Sequence, residues 1–290
     1  MEKILIMTDS NSGIQQTEAK DMGIYVLPMP FTIDGEEYEE EINITQQKFY
    51  EILTLDTDVK TSQPSQLHLE SIWDKYLKEY EEIVYIPMSS GLSSTCENAK
   101  KYALKYAGKI EVVDNMRISV AQKESVLEAI ELAKQGKTAK EIKEYLENTK
   151  DKESIYITVD NLKYLKKGGR VSGAAATLGS LLNVKPILCS RGGKFDKFAL
   201  ALSFNQAKKR MIAQVKHELE TEFKEEYEHG KMVVSVAHTN NYEMAEEFKS
   251  EIQKVLPNVK FRFIDPLSLS VSCHIGAGAL AICICINNYL

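Results

Sequence analysis

The first half of this 290-residue chain repeats one grammar: a short apolar run that ends in polar residues, followed by a stretch of helical periodicity. Residues 3–8 run into Asp9-Ser10, residues 83–88 into Ser89-Ser90-Gly91, and residues 110–113 into Asp114-Asn115. Between them, residues 67–80 place Ile72, Trp73, Tyr76 and Leu77 on one side of a helix. Residues 94–106 read as a helix closed by Gly108, and residues 118–136 as another. Thr138 with Glu141 is a capping-box pair that opens a further helix. Strands that alternate with helices in this way predict an α/β unit with a parallel sheet and helices on both faces, three layers in all. In such sheets ligands sit beyond the carboxyl ends of the strands, where this chain puts its hydroxyl-rich loops. Residues 25–33 add a strand-like segment, Asp34-Gly35 a hairpin signal, and residues 45–53 a short helix.

The grammar changes after the charged junction Asp151-Lys152-Glu153. Strands are expected at 155–159, 185–188, 232–237 and 261–264, and helices at 205–222 and 242–256. A hairpin turn is expected at Arg191-Gly192-Gly193-Lys194, and a helix of small residues over 172–182. The run 279–286 is strand-like by its isoleucines, with a buried helix as the alternative. This reads as a second α/β domain with a mixed sheet, so the expected domains are 1–150 and 151–290.

Composition limits the function. The hydrophobic fraction of 43% supports a full core, and the formal net charge of −6 disfavours nucleic acid, which needs a basic stripe. The N-terminal residues enter a strand without a signal-peptide apolar region. The run 279–286 is far short of the roughly 20 apolar residues of a membrane span. A cytoplasmic protein without stable membrane insertion is expected. Cys96, Cys189, Cys273, Cys283 and Cys285 show no CxxC spacing and read as free thiols, the last three as small core residues. The five histidines are scattered, so neither metal nor cofactor is expected.

Thr61-Ser62-Gln63-Pro64-Ser65 and Ser89-Ser90-Gly91-Leu92-Ser93-Ser94-Thr95 carry the chemistry. Both offer hydroxyl and backbone donors without built-in charge, a surface suited to a carboxylate or phosphate rather than to bond breaking. Each also serves as a turn and cap: Ser65 and Ser93-Ser94 precede helices, and a helix N-terminus is itself an anion site. Lys166-Lys167-Gly168-Gly169-Arg170 lacks the spacing of a nucleotide phosphate loop and reads as a basic turn that could bring Arg170 to the hydroxyl site. GxGxxA at 276–281 has too little chain after it for a dinucleotide fold, and reads as a tight turn beside His274. A hydrolase using Ser90 or Ser93 with His274 lacks GxSxG and an acid partner for the histidine.

Seven segments in this order resemble the DegV family of bacterial fatty-acid-binding proteins. They are Thr8-Asp9-Ser10, Thr61-Ser62-Gln63-Pro64-Ser65, the serine run from Ser89, Val113-Asp114, the stretch 165–172, the stretch 181–188, and His274-Ile275-Gly276 with Gly278-Ala279-Leu280. The resemblance implies a two-domain fold, three-layer α/β/α then two-layer α/β with a mixed sheet, with a long-chain fatty acid buried between and within the domains. It implies that Thr61 and Ser93 hold the carboxylate, with Ser62 nearby and Arg170 and His274 in the surrounding polar network. The small-residue segment 173–182 would wall the acyl chain. It also implies a non-enzymatic carrier that presents its ligand to a separate ATP-dependent fatty acid kinase, which makes an acyl-phosphate for phospholipid synthesis. The alternative is a lipid-binding or sensing protein without a kinase partner. The chain departs from the family pattern at Ser94-Thr95-Cys96 and at Ala277. It departs again at residues 195–204, where Phe195-Asp196-Lys197-Phe198-Ala199-Leu200-Ala201-Leu202-Ser203-Phe204 replaces a basic stretch. This last departure bears on kinase docking and leaves ligand binding untouched.

Overall fold

The computed structural model describes residues 2–176 and 184–289. The chain divides into two compact units. The first holds residues up to 45, residues 58–151 and Tyr289; the second holds residues 46–57 and the described part of 152–288.

The first unit contains β1 (Glu2–Asp9), β2 (Tyr25–Leu27), β3 (Pro30–Ile33), β4 (Glu36–Glu39), β5 (Val59–Thr61), β6 (Tyr80–Ile86) and β7 (Ile110–Val112). Its main sheet has the order β2-β1-β6-β7, every pair parallel. Side chains alternate between its faces. Leu5, Met7, Ile83 and Tyr85 pack with Leu69, Ile72 and Trp73 of helix Gln66–Tyr76 and with Cys96 and Ala99 of helix Thr95–Ala103. Ile6, Val84 and Ile86 pack with Ala19 of helix Gln16–Met22, Val126 and Ala129 of helix Ser119–Lys134, and Ile142 and Leu146 of helix Ala139–Asn148. The expected three layers are therefore present. Each large apolar side chain removed from water contributes about 1.5–3 kcal/mol.

Local signals explain several boundaries. The Thr138 hydroxyl accepts from the Glu141 backbone N–H at 3.2 Å while the Glu141 carboxylate accepts from the Thr138 N–H at 2.9 Å, the expected capping box. Asp34 and Gly35, both with positive φ (51° and 89°), turn β3 into β4. The expected helix over 67–80 stops at Tyr76, because Tyr80 already pairs with Glu2 as β6 begins beside β1. β5 pairs antiparallel with β3, completing a small sheet β4-β3-β5 that no periodicity announced.

The second unit contains β8 (Glu153–Thr158), β9 (Lys185–Ser190), β10 (Asp196–Ala201), β11 (Met232–His238), β12 (Lys260–Pro266) and β13 (Leu280–Ile286). The order is β10-β9-β8-β13-β11-β12, with β11–β12 parallel and the other pairs antiparallel, a mixed sheet. Leu280, Ile282, Ile284 and Ile286 of β13 pack with Met211 and Val215 of helix Phe204–Glu220 and Phe248 and Ile252 of helix Tyr242–Val255. The final run is thus a central strand rather than a helix. Cys283 and Cys285 are buried, as is Cys273.

The tight turn expected beside His274 is present at 277–278, and the basic turn needs correction. The stretch before Gly276 is a helix, Leu269–Ile275, N-capped by Ser268, whose hydroxyl accepts from Val271 N–H. Lys166 to Gly168 closes helix Leu162–Gly168, with Gly169 (φ 69°) as the left-handed cap. This is the carbonyl end of a helix, which repels the phosphate that a glycine-rich loop would hold. Of the small-residue segment, helix Gly173–Ala176 is described; residues 177–183 lie outside the described residues.

Candidate functional site

In the first unit the two hydroxyl clusters meet. Gln63 is the link: its side-chain oxygen accepts from Asn98 Nδ2 at 2.8 Å and from Ser94 Oγ at 3.3 Å, tying the loop after β5 to the start of helix Thr95–Ala103. Thr61 is placed at the end of β5 by pairing with Phe31 of β3, and the Ser62 N–H donates to Pro30 O at 3.1 Å. Ser65 caps helix Gln66–Tyr76 by accepting from His68 N–H at 3.2 Å, so one pentapeptide both starts a helix and carries the donors.

The serine run after β6 is a tight turn. Leu92 and Ser93 N–H both donate to Ser89 O, at 3.1 and 3.2 Å, and Gly91 N–H donates to the Ser89 hydroxyl at 3.0 Å. Ser93 Oγ accepts from Thr95 N–H at 3.2 Å and lies 2.9 Å from Thr95 Oγ1. Neither partner is a base, so Ser93 has no activating group within these bonds. Ser90 N–H donates to Asp114 Oδ1 at 3.3 Å, and Lys100 stands 3.4 Å from the other Asp114 oxygen. Gln63 thus joins the Thr61-Ser62 segment, at the end of the antiparallel strand β5, to the serine run, which follows the carboxyl end of the parallel strand β6.

Beneath it lies a network that sequence reading missed. Asp9 is wholly buried, and its carboxylate accepts from Met88 N–H at 2.9 Å, Asn11 N–H at 3.0 Å and Gln122 Nε2 at 3.1 Å. Gln122 Nε2 also reaches Thr8 Oγ1 and Ile86 O, each at 3.0 Å. Burial pushes the Asp9 carboxyl up to about 6 against the pull of these donors. Thr8-Asp9-Ser10 stood out as a strand-end motif, but nothing in the apolar pattern of helix Ser119–Lys134 singles out Gln122.

In the second unit Arg170 and His274 are brought together by glycine. A Cβ at Gly168 would lie 2.4 Å from His274 Nδ1, so the imidazole rests directly against the glycine backbone. Arg170 Nη1 donates to Gly168 O at 2.7 Å, folding the guanidinium onto the carbonyl end of the helix. Burial, and then the Arg170 charge, push His274 down to about 4, so its ring is neutral at neutral pH. Gly276 (φ 75°) has Tyr164 where its Cβ would stand, at 2.4 Å, which locks helix Leu269–Ile275 against helix Leu162–Gly168 a second time. Residues 46–57 dock on the same place. Tyr50 OH and Ser272 Oγ are 2.8 Å apart, Gln46 Nε2 donates to Leu267 O at 3.1 Å, and Lys167 Nζ donates to Thr57 O at 3.0 Å.

Among the described residues no group of three or more His, Cys, Asp or Glu is placed to hold a metal ion, and no helix is long and apolar enough to cross a membrane.

Comparison with known proteins gives one consistent likeness. The family model described as "Uncharacterised protein, DegV family" matches residues 3–287. A DegV domain-containing protein of Clostridium perfringens is 32% identical over 290 residues, spanning 97% of this chain and 97% of its own. Among solved structures, DegV, a fatty acid binding protein from Bacillus subtilis, is 30% identical with a TM-score of 0.83, covering 99% of this chain and 100% of its own. A fatty acid binding DegV family protein from Streptococcus agalactiae is 25% identical with a TM-score of 0.86, again over 99% and 100% of the two chains.

Proposed function

The chain belongs to the DegV family, and on that premise we propose that it binds a long-chain fatty acid as a non-catalytic carrier. The observation that carries this reading is the Gln63 link, which joins two clusters of uncharged donors into one region at the strand ends. Thr61 and Ser93 hold the carboxylate, with Ser62 beside them. Neutral hydroxyls suit this task. They compensate the desolvation of the head group without locking it into an ion pair. Affinity comes from the acyl chain, whose burial is worth about 0.8 kcal/mol per methylene.

The carrier presents the head group to a separate kinase. A carboxylate oxygen attacks the γ-phosphorus of ATP, the bond to the β–γ bridging oxygen breaks, and acyl-phosphate and ADP result, with Mg²⁺ and the nucleotide supplied by the kinase. The acyl-phosphate then enters phospholipid synthesis in the cytoplasm. A second reading, lipid binding or sensing without a kinase, is favoured by β10, where Phe198, Ala199 and Leu200 occupy the stretch that is basic in the family pattern.

The test is mass spectrometry of an organic extract from gently purified protein. A stoichiometric long-chain fatty acid is expected. No lipid, and no uptake from a panel of saturated and unsaturated long-chain acids, refutes the reading. Pure protein should not turn over ATP; phosphorylation of bound fatty acid on adding a kinase separates the first reading from the second.

A further inference from the structure

Thr61-Ser62 and the serine run after β6 lie at the end of a three-residue strand and in a loop. A recognition site needs such donors held to within about 0.5 Å. The bonds that hold them converge on three consecutive buried residues at the end of β1. Thr8 Oγ1 donates to Ile86 O at 2.7 Å, closing the carboxyl end of β6. The Asp9 carboxylate accepts from Met88 N–H, the residue that leads into the serine run. Ser10 Oγ faces the other cluster: it accepts from Met29 N–H at 3.1 Å. Met29 precedes Pro30, whose carbonyl receives the Ser62 N–H, and Phe31, which pairs with Thr61. Gln122 secures the centre from helix Ser119–Lys134 by bonding Thr8, Asp9 and Ile86 at once.

We propose that Thr8-Asp9-Ser10 is the common anchor of both hydroxyl clusters, a buried set of positioning residues in which Asp9 sets the serine run and Ser10 sets Thr61 and Ser62. Its bearing on ligand binding rests on the fatty-acid reading; the placement of the loops does not. Asp9 acts as an ionised acceptor, because a carboxylate can serve the Met88, Asn11 and Gln122 donors together, whereas an amide must turn its NH₂ group on at least one of them. The titratable groups that feel Asp9 are Tyr85 from β6 and Cys96 from helix Thr95–Ala103, both pushed up and neutral. Helix Ser119–Lys134 presents the uncharged Gln122, while its Lys123 is paired with Glu18.

The experiment follows backbone amides of the isotope-labelled full-length chain by NMR and hydrogen exchange in wild type, Asp9→Asn and Ser10→Ala. Asp9→Asn should speed exchange about tenfold or more at residues 88–93, the loss of one charge-assisted bond, and leave Thr61 and Ser62 near wild type. Ser10→Ala should disturb residues 29, 31, 61 and 62 instead. In wild type the Met88 amide should titrate with a midpoint near pH 6, a response absent in Asp9→Asn. Changes spread evenly over the first unit, or absent at these amides, overturn the anchor. Should Asp9→Asn fail to fold, Ser10→Ala and the wild-type titration still decide. Palmitate labelled with carbon-13 at its carboxyl is then added. Its bound resonance should move in both variants; an identical signal and affinity in all three proteins overturns the anchor's role in binding. If wild type takes up no palmitate, the fatty-acid reading fails while the amide pattern still judges the anchor.

Discussion

Replacing Gly168 by alanine sets two known effects against each other. Gly168 is helical, and alanine in a helix gains about 1 kcal/mol over glycine. The added Cβ, however, would lie 2.4 Å from His274 Nδ1, 2.9 Å from Cγ and 3.0 Å from Cβ. The His274 Cβ is tied to helix Leu269–Ile275, so turning the ring does not relieve the clash; helix or imidazole must shift. Overpacking of this kind costs about 1–3 kcal/mol, which leaves a net loss of about 0–2 kcal/mol. Gly169→Ala is the control. Its φ of 69° makes it strained by about 1–2 kcal/mol, yet nothing lies within 4 Å of its Cβ. Urea unfolding should therefore show comparable losses for the two variants. The His274 ring proton, followed by NMR against pH, should separate them. It should titrate near pH 4 in wild type and in Gly169→Ala, and move toward the ordinary histidine value in Gly168→Ala as the ring leaves its buried place beside Arg170. A Gly168→Ala protein at least as stable as wild type, with His274 titrating where it does now, would refute the close-contact argument.

Thr61→Ala combined with Ser93→Ala removes two neutral donors, each worth about 0.5–1.5 kcal/mol, so palmitate affinity measured by calorimetry should fall about tenfold to a hundredfold; an unchanged affinity and head-group signal would sink the assigned site. Ser65→Ala removes only a helix cap, costing about 1 kcal/mol of stability in urea with palmitate affinity unaltered. Stability against pH should expose two opposed linkages. Asp9, raised to about 6, takes up its proton in the folded state first, so its contribution falls as pH rises from about 4 to about 6. His274, lowered to about 4, protonates first in the unfolded chain, so its contribution is lost as pH falls from about 6.5 to about 4. Each is worth at most about 3 kcal/mol and they largely cancel. Relative to wild type, Asp9→Asn should grow more stable with rising pH and His274→Gln less; parallel profiles for all three proteins would contradict both assignments.

The parallel sheet, its two helical layers and the position of the hydroxyl loops at the strand ends were legible in the sequence. They rest on local period and composition: the apolar run through Leu5 and Met7 and the spacing of Ile72 and Trp73 carry their own fold signal. The caps at Ser65 and Thr138 and the Asp34-Gly35 turn were legible for the same reason, since each bond spans a few residues. The family likeness rested on the order of its motifs.

Tertiary structure decided the rest. That β13 is a central strand between β8 and β11 depends on pairings with strands far back in the chain. Gln63 reaching Ser94 and Asn98, Gln122 reaching Asp9, and Gly168 lying against His274 are meetings of distant residues that chain closure creates. No apolar period marks the helix Leu269–Ile275 in the sequence; it packs against Leu162–Gly168 through Gly168 and Gly276. The buried setting of Asp9 has the same origin. A sequence shows that an aspartate ends a strand, but only the assembled layers determine whether water can reach it, and desolvation is what sets its proton affinity.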